Sequence, residues 1–346
     1  MYQGLYVDKP QSIVIREEQE IPLETQQARI RTSFASVKHG TEFHQFSGES
    51  PFHGRVFDPE LRLFVQKPEE EASDVFEQRF VGNMVVGTVV EVGSSVSRVN
   101  VGDQVYCYGP ACELVTKSQD EIKLLQAPMS ALDAVCLDPA FFAFAAVRDS
   151  GARLGNTVVV FGLGAIGLLV IQMLHLSGCM HIIAVDPLER RRKLALSYGA
   201  QTAIDPTVDD IGLVTRDLLN GRGADIAIEA SGNYRGLQGA LRAVHNTARV
   251  VTLGYYKGRD NVLELGAEWH HNRLELISSM PVWNNPFRDP LWDRARMTEA
   301  VAELFKQKLL VSEGIIDPIV DFADSPRAFM DIYHNPSDAI KLGITF

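Results

Sequence analysis

The residues of this chain that most plainly specify chemistry are Gly162-Leu163-Gly164-Ala165-Ile166-Gly167. They follow an apolar run, Val158-Val159-Val160-Phe161, and lead into Leu168-Leu169-Val170-Ile171-Gln172-Met173-Leu174, which continues as a helix. Strand, glycine turn and helix is the context in which this spacing holds a diphosphate. The first glycine permits a tight turn, the second lets the backbone approach the pyrophosphate, and the third lets helix pack on strand. Ala165 and Ile166 open the helix, whose N-terminal N–H groups and partial positive charge suit the phosphates. Glycine-rich turns of this spacing also arise by chance, so the acidic partner matters. His181–Val185 reads as the next strand and ends at Asp186, 19 residues after Gly167. That carboxylate is placed to accept from the ribose hydroxyls of an adenosine and to repel a 2′-phosphate, which predicts NAD rather than NADP. Arg190 and Arg191 could receive such a phosphate; with Asp186 present, Arg191 is assigned a place along the adenosine and its neighbours to solvent.

Those residues need a scaffold, and the chain's texture supplies one. From about 150 to 280, strand-length apolar runs (158–161, 182–185, 226–228, 250–253, 274–277) alternate with helical patterns (165–177, 188–198, 234–244). Such alternation predicts a parallel sheet covered on both faces. Residues 1 to about 138 instead carry short β-rich segments punctuated by glycine and proline, such as Met84–Val92 followed by Gly93 and Gly102-Asp103. A further helix is expected near 292–307, in a C-terminal part that packs back onto the first domain. The predicted division is therefore 1–138 with 282–346, and 139–281. Residues 45–81 form a long irregular stretch with an acidic piece, Glu69–Asp74, read as a solvated excursion or a lid over the pocket.

Composition narrows the function classes. The 346 residues suit two domains, with 46% hydrophobic and 22% charged residues. A net charge of −11 and dispersed Lys and Arg argue against a nucleic-acid partner. No apolar run reaches membrane-spanning length and the start lacks a signal pattern, so a cytoplasmic protein with no membrane partner is expected. Cys107, Cys112, Cys136 and Cys179 form no Cys-x-x-Cys pair and read as buried free thiols. Phe141-Phe142-Ala143-Phe144 falls at helical spacing and reads as core, and His270-His271, read as strand neighbours, as surface residues.

With the glycine turn placed mid-chain after a β-rich domain, the sequence resembles the medium-chain dehydrogenase/reductase superfamily, in particular its zinc-type alcohol and polyol dehydrogenases of the sorbitol- and threonine-dehydrogenase kind. The stretches that carry the resemblance are Val92-Gly93-x-x-Val96-x-x-Val99-x-Val101-Gly102-Asp103-x-Val105, the glycine turn, Gly223-Ala224-Asp225-x-x-x-Glu229-Ala230-Ser231-Gly232 and Arg249-Val250-Val251-x-Leu253-Gly254. The resemblance implies an α/β fold: a Rossmann doubly wound parallel sheet plus a GroES-like β-rich catalytic domain. It also implies that Ser231, Gly232, Leu253 and Gly254 border the nicotinamide half, and that the protein pairs as a homodimer or homotetramer through the last strand of the sheet.

The catalytic positions depart from the family. Where relatives read Cys-Gly-(Ser/Thr)-Asp-x-His, this chain has His39-Gly40-Thr41-Glu42-Phe43-His44. Thr41 and His44 are in register with the family's proton relay, while His39 stands in place of a zinc-ligating Cys. The family's Gly-His-Glu becomes Gly82-Asn83-Met84, Asp138-Pro139 fits a third ligand position, and the four-cysteine lobe that holds a structural zinc is missing. Catalytic zinc needs about three protein ligands and an open position. His39 and Asp138 stand at ligand positions and His44, His53 or Glu42 could substitute, but nothing in the spacing demands it, so NAD is the cofactor assigned, zinc is a secondary option and no metal ligands are named. Imidazole suits proton transfer near neutral pH. The expected mechanism has Thr41 on the substrate hydroxyl and His44 accepting the proton through the cofactor ribose. His39 acts as an electrophile or second base oriented by Asp138, with Lys38 a lesser candidate for stabilising charge. The expected activity is NAD-linked oxidation of a small-molecule secondary alcohol: a polyol, cyclitol or sugar derivative. A zinc-free quinone or enoyl-type reductase and a non-catalytic dinucleotide-binding scaffold are the competing readings.

Overall fold

A computed structural model gives the arrangement of residues 1–47, 55–67, 78–256, 261–282 and 287–346. The chain divides into two compact units, one of Met1–Gln126 with Asp317–Phe346 and one of Ala127–Ile316.

The first unit opens with the antiparallel pair β1 (Tyr2–Lys9) and β2 (Ser12–Glu18), then β3 (Gln27–Ser36) and helix α1 (His39–Ser47). A hairpin, β4 (Arg55–Asp58) and β5 (Leu63–Gln66), lies inside the irregular stretch; the acidic run 69–74 and His53 fall outside the described residues. Strands β6 (Arg79–Phe80), β7 (Met84–Val92), β8 (Gln104–Tyr108), β9 (Leu114–Ser118) and β10 (Lys123–Leu124) follow. In β3, β7 and β8 the side chains that point inward are Val, Ile, Ala and Cys, the small or branched types that pack well on a pleated surface. Among them are Ile30, Val85, Val89, Val105 and Cys107, all buried.

The second unit begins with α2 (Ala131–Val135), started by a reciprocal Ser130/Asp133 capping box, and α3 (Leu137–Ser150), ended by Gly151 in the left-handed region. Then strand and helix alternate: β11 (Thr157–Phe161), α4 (Ala165–Leu176), β12 (His181–Val185), α5 (Glu189–Ser197), β13 (Thr202–Ile204), α6 (Ile211–Leu218), β14 (Ala224–Glu229), α7 (Tyr234–Ala243), β15 (Val244–Thr252), the single-turn α8 (Glu268–His271), β16 (Glu275–Ser278) and α9 (Arg294–Lys306). The six strands run parallel in the order β13-β12-β11-β14-β15-β16. This is the Rossmann doubly wound order, with the reversal between β11 and β14. The central strands are buried on both faces, which is why they are uninterrupted apolar runs rather than alternating ones. Back in the first unit, β17 (Ile319–Asp321), α10 (Ser325–His334) and β18 (Gly343–Thr345) complete the β-rich, GroES-like sheet, in which β18 pairs β3.

The unit boundaries differ from the expected cuts at 138/139 and 281/282. Phe141 and Ala145 of α3 form one buried cluster with Met297 of α9, and Asp133 accepts from Ser312 Oγ at 2.6 Å. The Gln172 side chain of α4 bonds the Val311 backbone in both directions, at 2.9 and 3.0 Å. These contacts keep 127–138 and 282–316 with the parallel sheet, so α9 does not return to the first unit and the chain does so only from Asp317. His270 and His271 sit on α8, not on a strand, and both are exposed. Among the described residues no helix is long and apolar enough to cross a membrane.

Candidate active site

The glycine turn joins β11 to α4, and its three glycines are there for different reasons. Gly162 has φ +83°, and a Cβ on it would lie 2.6 Å from the Ser231 nitrogen. A Cβ on Gly167 would meet the Gly162 carbonyl oxygen at 1.8 Å. Gly164 caps α4 with an extended backbone (φ −73°, ψ −171°), and nothing in the protein lies within 4 Å of where its Cβ would be. The turn therefore needs Gly162 and Gly167 for its own packing and leaves open space over Gly164. No side chain caps the helix here, so the first N–H groups of α4, from Ala165 and Ile166 onward, lack side-chain acceptors.

Asp186 stands just past β12, 3% exposed. Its Oδ2 accepts the Leu163 N–H at 2.8 Å and its Oδ1 the Leu188 N–H at 2.9 Å, which locks the carboxylate against the glycine turn. Arg191 Nη1 lies 3.8 Å from Oδ2. Arg192 was expected in solvent; its guanidinium instead donates to the Asp186 carbonyl at 2.7 Å and pairs with Asp205 at 3.0 Å. The reason is geometric: one turn into α5, position 192 faces back over the end of β12. Arg190 and Lys193 are exposed.

Ser231-Gly232 and Leu253-Gly254 follow β14 and β15 and meet around one buried carboxylate. Glu229, fully buried, accepts from Ser231 N at 2.8 Å, Gly232 N at 3.2 Å, the Ser231 hydroxyl and the Tyr256 hydroxyl. Its backbone carbonyl accepts from Leu253 N at 3.0 Å and Gly254 N at 3.3 Å. Burial pushes the Glu229 carboxyl above the usual carboxylate range, against the pull of these donors. Glu229 lies within a motif of the sequence, but its role is not legible there, because burial and partners are tertiary facts.

In the first unit, His39, Thr41 and His44 share α1. The helix is anchored by Phe43 and Phe46, which pack edge-on against Phe329 and Tyr333 of α10. The His39 ring stacks on Phe43 at 5.1 Å, one helical turn away. The side chains of Thr41 and His44 lie outside the described residues. Glu42 is buried and pairs with Arg79 at 3.0 Å; burial nevertheless raises its carboxyl. Lys341 was missed in the sequence. It is 5% exposed, and its ammonium donates to the Val37 carbonyl at 3.1 Å and to Asn83 Oδ1 at 3.3 Å. Asp138 is buried in the first turn of α3, in the second unit.

His53 and the side chain of His44, both named above as substitute zinc ligands, lie outside the described residues. Among the described residues no group of three or more His, Cys, Asp or Glu side chains could hold a metal ion, and the Asn83 oxygen is engaged by an ammonium. The Cys107 and Cys112 thiols are buried, and burial pushes both up to about 12. An open cavity of about 830 Å³ lies along the β16 edge. None of the glycine-turn residues line it, and its Arg148 and Arg249 are paired with Asp289 and Glu275.

Comparison with known proteins agrees with this architecture. Residues 165–294 match the family of zinc-binding dehydrogenases. The chain is 35% identical over 348 residues to the D-guloside 3-dehydrogenase of Escherichia coli K12, covering 99% of each. It is 28% identical to the L-threonine 3-dehydrogenase of Pyrococcus furiosus, over 62% of this chain and 68% of that one. The crystal structure of galactitol-1-phosphate dehydrogenase from Escherichia coli superposes with a TM-score of 0.78 at 18% identity, covering 99% of this chain and 100% of that one. The chain belongs to the zinc-binding dehydrogenases of the medium-chain dehydrogenase/reductase superfamily, and is an oxidoreductase.

Proposed function

We propose that this protein oxidises a secondary hydroxyl of a polyol, cyclitol or sugar derivative with NAD. The observation that carries the reading is the glycine turn with Asp186 locked beside it. An acidic group at the end of the second strand favours ribose hydroxyls and disfavours a 2′-phosphate. Kinship supports the substrate class: the full-length relative at 35% identity is named for oxidation at position 3 of a guloside.

In this reading NAD takes the hydride from the carbinol carbon, and the hydroxyl proton leaves by way of Thr41 to His44 and solvent. His39, whose ring is fixed flat on Phe43, is the second imidazole available to the carbonyl oxygen. Asp138 is assigned a supporting role at the cofactor unit. No step is routed through a metal. The protein acts in the cytoplasm as a homodimer or homotetramer, with the open edge of β16 as the pairing strand; its partners are small molecules, not nucleic acid or membrane.

The test is NADH formation over a panel of glycosides, polyols and cyclitols, with NADP in parallel and the metal content of the same preparation measured. Turnover of a polyhydroxylated substrate with NAD is expected. Binding of NADH without turnover of any alcohol would favour a scaffold, and reduction of a quinone or enone with NADPH would favour the reductase reading. If His39→Ala and Thr41→Ala each leave turnover within a few-fold of the parent, the catalytic assignment is wrong.

A further inference from the structure

The sheet reverses between β11 and β14, and in a doubly wound fold the two halves of a dinucleotide lie on either side of that point, beyond the carboxyl ends of the strands. Asp186, at the end of β12, marks the adenosine side. The other mononucleotide then lies over the ends of β14 and β15, where Ser231-Gly232 and Leu253-Gly254 are. Both segments converge on Glu229.

The convergence is tight. The four groups that meet the Glu229 carboxylate are all donors: two backbone N–H groups, the Ser231 hydroxyl and the Tyr256 hydroxyl. An ionised carboxylate only accepts, so the match is complete. The segments also touch without room to spare. A Cβ on Gly254 would lie 2.2 Å from the Gly232 nitrogen and 3.0 Å from Glu229 Oε2. A Cβ on Gly236 would lie 2.7 Å from the Ser231 hydroxyl and 3.0 Å from Glu229 Oε1. Ser231 in turn abuts Gly162, so the carboxylate fixes the turn that faces the glycine motif from across the strand reversal.

We propose that Glu229 is the positioning residue of the nicotinamide subsite, holding the Ser231-Gly232 and Leu253-Gly254 segments and Tyr256 in the one arrangement that receives the second mononucleotide. This rests on the reading that a nicotinamide dinucleotide binds at the glycine turn. Glu229 touches no ligand itself; it acts through the backbone it bonds.

The test compares two ligands that share the adenosine half. NADH carries the nicotinamide mononucleotide, of which ADP keeps only the phosphate. Dissociation constants for both are measured by calorimetry on the parent, E229Q, E229D and Y256F. In E229Q one carboxylate oxygen becomes an NH₂ group facing donors, so the knot loses acceptors. NADH affinity should fall by about tenfold, equivalent to about 1.4 kcal/mol, while ADP binding stays within about twofold. E229D, which keeps the charge on a shorter stem, and Y256F, which removes one donor and spares the fold if E229Q does not, should show smaller losses of the same selectivity. Equal loss of both ligands, or loss of neither, would overturn the proposal. Failure of the parent to bind either ligand would instead overturn the dinucleotide reading and the proposal with it.

Discussion

Replacing Gly164 by alanine separates a glycine kept for a ligand from glycines kept for the fold. At −73° and −171° its backbone is open to any residue, and nothing lies within 4 Å of the added methyl. Reduced unfolded-chain entropy favours alanine by about 0.4–1 kcal/mol. The poorer N-cap opposes it by about 0.5–1 kcal/mol. The net change should stay within about 1 kcal/mol, or a Tm shift of roughly 2–4 °C for a unit of this size. Binding should respond quite differently. The methyl would occupy the space in which a pyrophosphate meets the first N–H groups of α4, and each charge-assisted bond lost costs about 1.5–3 kcal/mol. NADH affinity should therefore fall by about tenfold to a hundredfold while the Tm barely moves. Gly167→Ala provides the contrast, since its methyl would collide with the Gly162 carbonyl oxygen at 1.8 Å. That variant should lose stability by several degrees or fail to fold. Calorimetric melting and NADH titration on both variants decide the matter. If Gly164→Ala binds NADH within about twofold of the parent, the diphosphate does not approach this turn. If it melts as early as Gly167→Ala, the glycine is structural and the argument from open space is wrong.

Two further outcomes are expected. Asp186→Ser removes the carboxylate from a site flanked by Arg190 and Arg191, so the NAD-over-NADP preference in kcat/KM should fall by at least about tenfold. It should also cost about 1–3 kcal/mol of stability through the Leu163 and Leu188 N–H groups left unpaired, and an unchanged preference would remove Asp186 from cofactor selection. At Asp133 burial raises the carboxyl, but bonds from Ser312, Lys308 and Ser130 outweigh it and leave the group below its ordinary range. A depressed carboxylate contributes stability that is present above the unfolded value of about 3.9 and lost as pH falls toward the folded one. Acid melting of the parent should therefore steepen below about pH 4, and Asp133→Asn should flatten that slope; equal slopes would count against the ledger of bonds around Asp133.

How much of this was legible in the sequence depended on whether the relevant forces act locally. The glycine turn, its flanking strand and helix, Asp186 and the alternation that makes a parallel sheet could all be read directly. Each is a short-range requirement of backbone conformation or of a strand buried on both faces. The β-rich first part was marked by its glycine- and proline-punctuated texture, and the family resemblance added its GroES-like type and the segments at 231–232 and 253–254. The domain boundaries differ from those expected because Asp133 meets Ser312, Phe141 meets Met297 and Gln172 meets Val311, pairs far apart in sequence, and only their packing decides which unit owns α2 and α9. Arg192 was sent to solvent because helix position alone does not reveal the carbonyl and the Asp205 carboxylate that receive it. Glu229 and Lys341 looked like ordinary charged residues. Burial made them otherwise, since a charge removed from water must be met by partners, and those partners come from distant strands and turns. The sequence alone thus determined the glycine turn and the carboxylate beside it, through local conformation. Tertiary structure decided which carboxylate gathers the segments after β14 and β15 and which ammonium is buried in the β-rich unit, because desolvation belongs to the folded interior and not to any residue by itself.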